Sequence, residues 1–230
     1  MKIALTSLVI LLSFNLGFTQ EGGNLINNNN GTSGNARPNQ LFAKKADYSD
    51  IKAEGIPYEN MEFQPGLIYI NGKPDTKARI RYNAYNDVLE VNEGGETYNL
   101  LRRDYIWAEV NGKKYGILDY LENGNKKSGY LVPISEGEIS LYFKPAKKLT
   151  EGREPKSGFE QYIPPKFVND HRFYIKKKDG VIEETRISNR MLKDLFKDDY
   201  KKVKDFIKDN DLDIKEAEDL AKVFDYYKQM

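Results

Sequence analysis

The sequence has 230 residues, no cysteine, one histidine, and 36 Lys+Arg set against 35 Asp+Glu, with 39% hydrophobic residues. That apolar fraction is enough for a real core and argues against a wholly disordered chain. A net charge of +1 supplies no concentrated positive field for nucleic acid, and without cysteine or a second histidine there is no disulfide framework, thiolate nucleophile, or cysteine- or multi-histidine metal site.

Lys2 is followed by an apolar run from Ile3 to Leu16 and then by Gly17-Phe18-Thr19-Gln20. The run is shorter than the roughly 20 residues a membrane-crossing helix needs, so it predicts a signal peptide over residues 1–19, cleaved after Thr19. The expected location is a periplasm or the exterior of the cell. Residues 20–55 read as a flexible tether, because the Asn/Gly-rich stretch 20–40 has little apolar area to bury. Asn30-Gly31-Thr32 matches an N-glycosylation acceptor. A short helix is expected around Leu41 to Lys45, and Ile56-Pro57-Tyr58 leads into the first strand.

Residues 56–187 read as a β-rich domain. Turn pairs recur at Asn71-Gly72, Asn86-Asp87, Gly94-Gly95, Asn111-Gly112, Asn123-Gly124 and Glu136-Gly137. Asn-Gly pairs accept the positive φ angles of two-residue hairpins, so they mark strand reversals. The clearest strand runs from Lys77 to Ala84, with Ala78, Ile80, Tyr82 and Ala84 facing one side and Lys77, Arg79, Arg81 and Asn83 the other. Leu67 to Ile70, Val88 to Val91, Tyr98 to Leu101, Tyr105 to Val110, Tyr115 to Leu121, Gly129 to Ile134 and Glu138 to Lys144 fill the other slots, with Pro133 placing its strand at an edge. These elements predict an antiparallel meander curled into a barrel or folded as a sandwich. Most segments are about 5 to 8 residues, short of the roughly 9 to 11 of a membrane strand, so no integral membrane insertion is expected.

Residues 146 to 170 interleave Lys147, Lys148, Arg153, Lys156 and Lys166 with Glu151, Glu154, Glu160 and three prolines, and read as a solvated loop in preference to a basic docking strip. A last hairpin turns at Asp179-Gly180. From Ser188 the period becomes helical: Met191, Leu192, Leu195 and Phe196, then Tyr200, Val203, Phe206 and Ile207, then Ile214, Ala217, Leu220, Ala221 and Phe224. Residues 188–230 therefore form a C-terminal segment of about three short helices on a mainly β chain, with Asp213 and Glu216 spaced as a capping box for the last. Asp209-Asn210-Asp211-Leu212-Asp213 opens like a calcium loop, but Ile214 stands where the turn needs Gly and Leu220 where the closing Glu belongs. No metal or cofactor is expected.

His171 follows Asp170, yet neighbours on a strand point to opposite faces, and no nucleophile motif, phosphate loop or dinucleotide fingerprint accompanies them. The distinctive composition is aromatic, with 16 Tyr, 11 Phe and one Trp. Rings on a sheet can stack on sugars or grip an extended peptide, or simply fill a β-core. Tyr105 and Trp107 are the first binding candidates. Arg81 and Asn83, with Asp87, are the second set, although the preferred reading is that Asn86-Asp87 makes the turn while Arg79 and Arg81 keep one strand face soluble.

The blocks FQPGLIYING (63–72), RYNAYNDVLEV (81–91), GEISLYFKPAKKL (137–149) and EDLAKVFDYY (218–227) resemble small exported proteins of Bacteroidota-type bacteria. The resemblance implies a compartment and a shared fold and carries over no functional residue. The leading expectation is a non-enzymatic envelope or secreted module that binds a protein partner. A glycan- or peptide-binding module using exposed aromatics is the alternative, and a carboxylate-based hydrolase ranks third.

Overall fold

In the computed structural model, residues 41–44, 52–157, 159–178 and 180–230 are described. The signal-peptide and glycosylation expectations, and most of the tether, lie outside them. Among these described residues thirteen strands come first: β1 (Phe42–Lys44), β2 (Gln64–Ile70), β3 (Lys73–Asn83), β4 (Val88–Glu93), β5 (Glu96–Leu100), β6 (Ile106–Val110), β7 (Lys113–Glu122), β8 (Asn125–Ser135), β9 (Ile139–Lys144), β10 (Lys147–Thr150), β11 (Lys166–Asn169), β12 (Arg172–Lys177) and β13 (Glu183–Thr185). Three helices follow, α1 (Asn189–Phe196), α2 (Tyr200–Asp209) and α3 (Ala217–Lys228), with a 3₁₀ turn at Lys197–Asp199 between the first two. The chain is mainly β with a C-terminal helical region.

The hairpins form where the turn chemistry places them. Asn71-Gly72, Gly94-Gly95, Asn111-Gly112 and Asn123-Gly124 each join two antiparallel strands through a two-residue loop, and both residues have positive φ. This geometry matches the right-handed twist of the flanking strands.

Eleven strands make one barrel-like sheet in the order β1-β5-β4-β3-β2-β6-β7-β13-β12-β9-β8, with β7 also paired to β8. It departs from a simple meander at two seams. After β5 the chain returns to lay β6 against β2, because the outer edge of β5 is taken by β1. Strand β13 meets β7 in parallel at a single pair, Glu183 and Leu121. Strands β7, β8, β9, β12 and β13 therefore close a circuit.

The apolar residues point inward. Ile68, Ile80, Tyr82, Leu89, Val91, Leu100, Ile106, Ala108, Tyr115, Tyr130 and Val132 build the main core from seven strands. Tyr120, Leu131, Tyr174 and Ile182 fill a second core on the other face of β7 and β8. Such filling is the reverse of a membrane barrel, whose apolar band faces outward. No helix among the described residues is long and apolar enough to cross a membrane.

Several local expectations change. Phe42–Lys44 is a strand paired with β5, not a helix, since Leu41 and Leu100 share the main core. Pro133 is not on an edge strand: β8 pairs with β7 up to Leu131 and with β9 from Val132, and Pro133 sits past the last β7 partner at a bulge. There the missing N–H breaks no second ladder. Strands β3 and β8 reach 11 residues and β7 reaches 10, because their polar hairpin ends extend beyond the core. Helix α3 begins at Ala217 without a side-chain cap from Glu216; Asp213 instead caps Lys215 N–H, and Asp219 accepts from Asp213 N–H at 3.0 Å.

The helices pack on the sheet. Leu192, Phe196, Val203, Leu220, Val223 and Phe224 close over Leu141 of β9, with Ile134, Ile139, Phe173 and Ile175 around it. Ser135 also donates to Asp225 of α3 at 3.3 Å. Phe224→Ala is expected to cost about 3–5 kcal/mol. In a denaturant titration the helical and tyrosine signals should shift together in one transition, since both report the same packed unit.

Candidate functional site

Four of the sequence candidates fall into two pairs. On β3, Arg81 lies between the rings of Tyr58 and Phe63, at 3.8 and 4.2 Å from their centroids. Its Nε and Nη2 donate to Glu90 Oε2 at 2.9 and 2.7 Å, and Nη1 donates to the Met61 carbonyl at 3.1 Å. Asn83 donates to the other oxygen of Glu90 at 3.2 Å and accepts from Asn86 N–H at 3.0 Å. Glu90 is fully buried. Of the β3 face read as solvent-facing, Lys77 and Arg79 are exposed, but the end carrying Arg81 and Asn83 is covered by residues 57–63, which run beside the strand through backbone hydrogen bonds Glu59 to Tyr82 and Tyr85 to Pro57. Arg81 and Asn83 are thus committed to holding that cover.

On β6, Trp107 is half-buried and lies across Gly116 of β7; a Cβ there would come within 2.5 Å of the indole. Its Nε1 donates to the Asp104 carbonyl at 3.1 Å. Trp107 is the cross-strand partner of Tyr69, whose hydroxyl donates to Glu109 at 3.1 Å. Tyr105 is 44% exposed just before the strand. No hydrogen bond or ion pair joins this pair to Arg81 or Asn83 among the described residues.

His171 accepts from Ala146 N–H through Nδ1 at 3.1 Å and lies 5.2 Å from the Phe143 ring. Asp170 turns away to Arg172 and Lys148. The two do not form an oriented acid–base pair.

Two further polar clusters form, of which the sequence offers only Asp87 as a candidate and none of its partners. Asp87, in the β3–β4 turn at φ 53°, accepts from the Tyr82 hydroxyl at 2.6 Å and from Tyr130 N–H at 3.2 Å, and pairs with Lys144 at 3.0 Å and Arg102 at 3.2 Å. The Lys144 side chain is only 11% exposed. Burial lowers its pKa, and the Asp87 charge opposes that. Burial first, then the Asp87 charge, raises the Tyr82 phenol well above its ordinary value. Gly129 lies so close that a Cβ would meet Asp87 Oδ2 at 2.5 Å. The second cluster centres on Glu122, which binds Lys127, Arg172 at 2.8 Å and Tyr174 at 2.7 Å. Burial pushes the Glu122 carboxyl up, but the bonds from Lys127 and Tyr174 and the Arg172 and Lys127 charges outweigh it and hold it below the ordinary range. A general acid needs a raised carboxyl. Here the cations keep Glu122 ionised.

Residues 146–170, expected as a loop, form a hairpin arm. Strands β10 and β11 pair Lys147 with Asn169 through Thr150 with Lys166. Arg153 and Ile163 continue the same register with reciprocal backbone bonds of 2.7 and 3.0 Å. The pairs between are lost because Pro164 and Pro165 cannot donate, and Gly152 makes room for Pro165, which a Cβ would meet at 2.7 Å. The base is fixed to the end of β3 by Lys147 N–H to Ala84, and to the segment before β2 by Glu54 N–H to Pro165 and Phe167 N–H to Glu54. At the far end Phe159 is fully exposed, and Tyr162 and Ile163 are about half exposed. The signal available in sequence was the pair of short arms KKLT and KFVN around Gly152 and the prolines; the proline content obscured it.

Removing one partner of a buried ion pair strands the other charge, so Asp87→Ala is expected to destabilise by about 3–5 kcal/mol. An Asp87→Ala, Lys144→Met double variant should recover part of the loss in denaturant titrations. For Glu122 the folded pKa is depressed, so its contribution is complete above the unfolded carboxyl value and is lost as pH falls through the folded one. The stability gap between the native chain and Glu122→Gln should therefore shrink on acidification through that range. A gap independent of pH would refute the assignment.

Compared with known proteins, the chain matches no family model, no curated protein and no solved structure.

Proposed function

We propose that the chain is a non-enzymatic interaction module, exported to the envelope or beyond, that grips a protein partner with the arm between β10 and β11. The observation that carries this reading is the arm's tip: Phe159 stands fully exposed beside Tyr162 and Ile163, on a base held by backbone hydrogen bonds. Folding gains nothing from an apolar ring left in water. Aromatic side chains are enriched at protein interfaces, and a fixed base lowers the ordering cost of contact. Around the tip, Arg153, Lys156, Glu154 and Glu160 are exposed and of both signs, which suits the polar rim of a protein interface better than an anionic surface.

Export rests on the leader-like N-terminus and on the resemblance to small exported proteins. The glycan or peptide reading has less support. Trp107 is held down on Gly116 and Asp104, and Tyr69 is tied to Glu109, so the rings do not offer a free stacking row.

A photo-crosslinking side chain placed at Phe159 is expected to give one discrete adduct in envelope or secreted fractions of the producing cells. The same group at Val181, exposed elsewhere, should not. Excess native protein should compete, and Phe159→Asp should compete at least about tenfold less well at unchanged stability. Equal labelling at both positions, or equal competition by the variant, would overturn the proposal.

A further inference from the structure

Strands β7 and β13 touch at one residue pair and then diverge, because β7 turns back at Asn123-Gly124 while β13 runs on toward α1. The gap is a cleft of about 820 Å³, lined by the Asn123-Gly124 turn, His171, Arg172, Phe173, residues 183–187 and Lys215. That volume suits a small ligand. Phe173 and Ile187 give it an apolar wall.

Its charges are unevenly matched. The β12–β13 register pairs Phe173 with Thr185 and Tyr174 with Glu184, so one residue further it sets Arg172 opposite Arg186. Arg172 is satisfied by Glu122, Asp170 and Glu184. The side chains of Arg186 and Lys215, both exposed, have no ion-pair partner among the described residues. Glu184 is committed to Arg172; Glu183 lines the cleft beside Leu121 but makes no ion pair with Arg186 or Lys215 among the described residues, and Glu216 lies beyond the lining although its charge acts on His171. Because His171 Nδ1 accepts from Ala146 N–H, the neutral ring carries its proton on Nε2, a further donor. Burial lowers the His171 pKa and favours that neutral form.

We propose that this cleft binds a small organic carboxylate of the size of an acidic monosaccharide, its carboxylate held by Arg186 and Lys215 and its ring against Phe173 and Ile187. Guanidinium and ammonium groups left without internal carboxylates are the donors such a ligand completes. The site is separate from the arm, and neither proposal depends on the other.

His171 is the single histidine, so its imidazole NMR signals report on the cleft without ambiguity. Glucuronate, glucose and inorganic phosphate are titrated separately into the protein, each to roughly 10 mM. The expected result is a saturable movement of the His171 signals with glucuronate and none with glucose. An Arg186→Ala, Lys215→Ala double variant should weaken glucuronate binding by about tenfold or more. Both side chains are exposed, and unchanged His171 signals in the free variant would show the cleft intact; if they move, Arg186→Gln alone serves as the variant. The proposal fails if glucuronate gives no saturable movement, if glucose binds equally well, if phosphate saturates where glucuronate does not, or if the intact variant binds as tightly as the native chain.

Discussion

Asp87 occupies a left-handed turn position between β3 and β4, and from there its carboxylate reaches the Tyr82 hydroxyl, the Tyr130 backbone of β8 and the Lys144 ammonium of β9. Strands that adjoin only through long stretches of chain are thereby tied at one atom group. The close approach requires Gly129 to lack a side chain, since its Cβ position lies against both Asp87 and Lys144. A buried ammonium is tolerable only with such a partner, so this arrangement of β3, β8 and β9 is the one in which neither charge is left alone. Hydrophobic filling alone would permit neighbouring registers. The ion pair discriminates among them.

The same logic recurs at the other seams. Glu90 is buried under residues 57–63 and is met by Arg81 and Asn83, which fixes that segment along β3. Glu122 stands at the end of β7, where Arg172 and Tyr174 of β12 reach across to it. Each of these acids sits where strand pairing changes or where an irregular segment covers the sheet. Backbone ladders cannot specify such places, and side-chain carboxylates do. Tyr69, Tyr82, Tyr115 and Tyr174 each donate to an acid from another element, so part of the tyrosine content serves this role.

What the sequence made legible follows from locality. Asn-Gly pairs determine their own turns, and Ala78, Ile80 and Tyr82 reveal a strand because alternation is a property of adjacent residues. The helical stripes from Met191 to Phe224 are legible for the same reason. The β6 return to β2, the parallel seam at Glu183 and the division of β8 between β7 and β9 depend on which edges remain free in three dimensions. Alternation placed Arg81 and Asn83 on the correct face of β3, but could not show that residues 57–63 cover that face. Asp87 looked like an ordinary turn residue, because its partners Tyr130 and Lys144 lie 43 and 57 positions away in the chain. The arm was hidden by prolines that interrupt its ladder without ending its register.

This division bears on function. The charged side chains that the fold buries are partnered: Glu90, Glu122, Asp87 and Lys144 are all bound within the barrel. Groups spent in this way are poorly placed to bind or transform anything else, since each would first have to abandon a buried partner. The two proposals therefore rest on features the fold does not consume. The arm's apolar tip contributes no burial, and Arg186 and Lys215 contribute no ion pair among the described residues. One is complementary to an apolar patch and the other to a carboxylate. The arm's tip stands on the β10–β11 pair, Arg186 directly follows β13 and Lys215 lies in the turn before α3, so each is anchored within two residues of, or by, a hydrogen-bonded element, which lowers the ordering cost of contact.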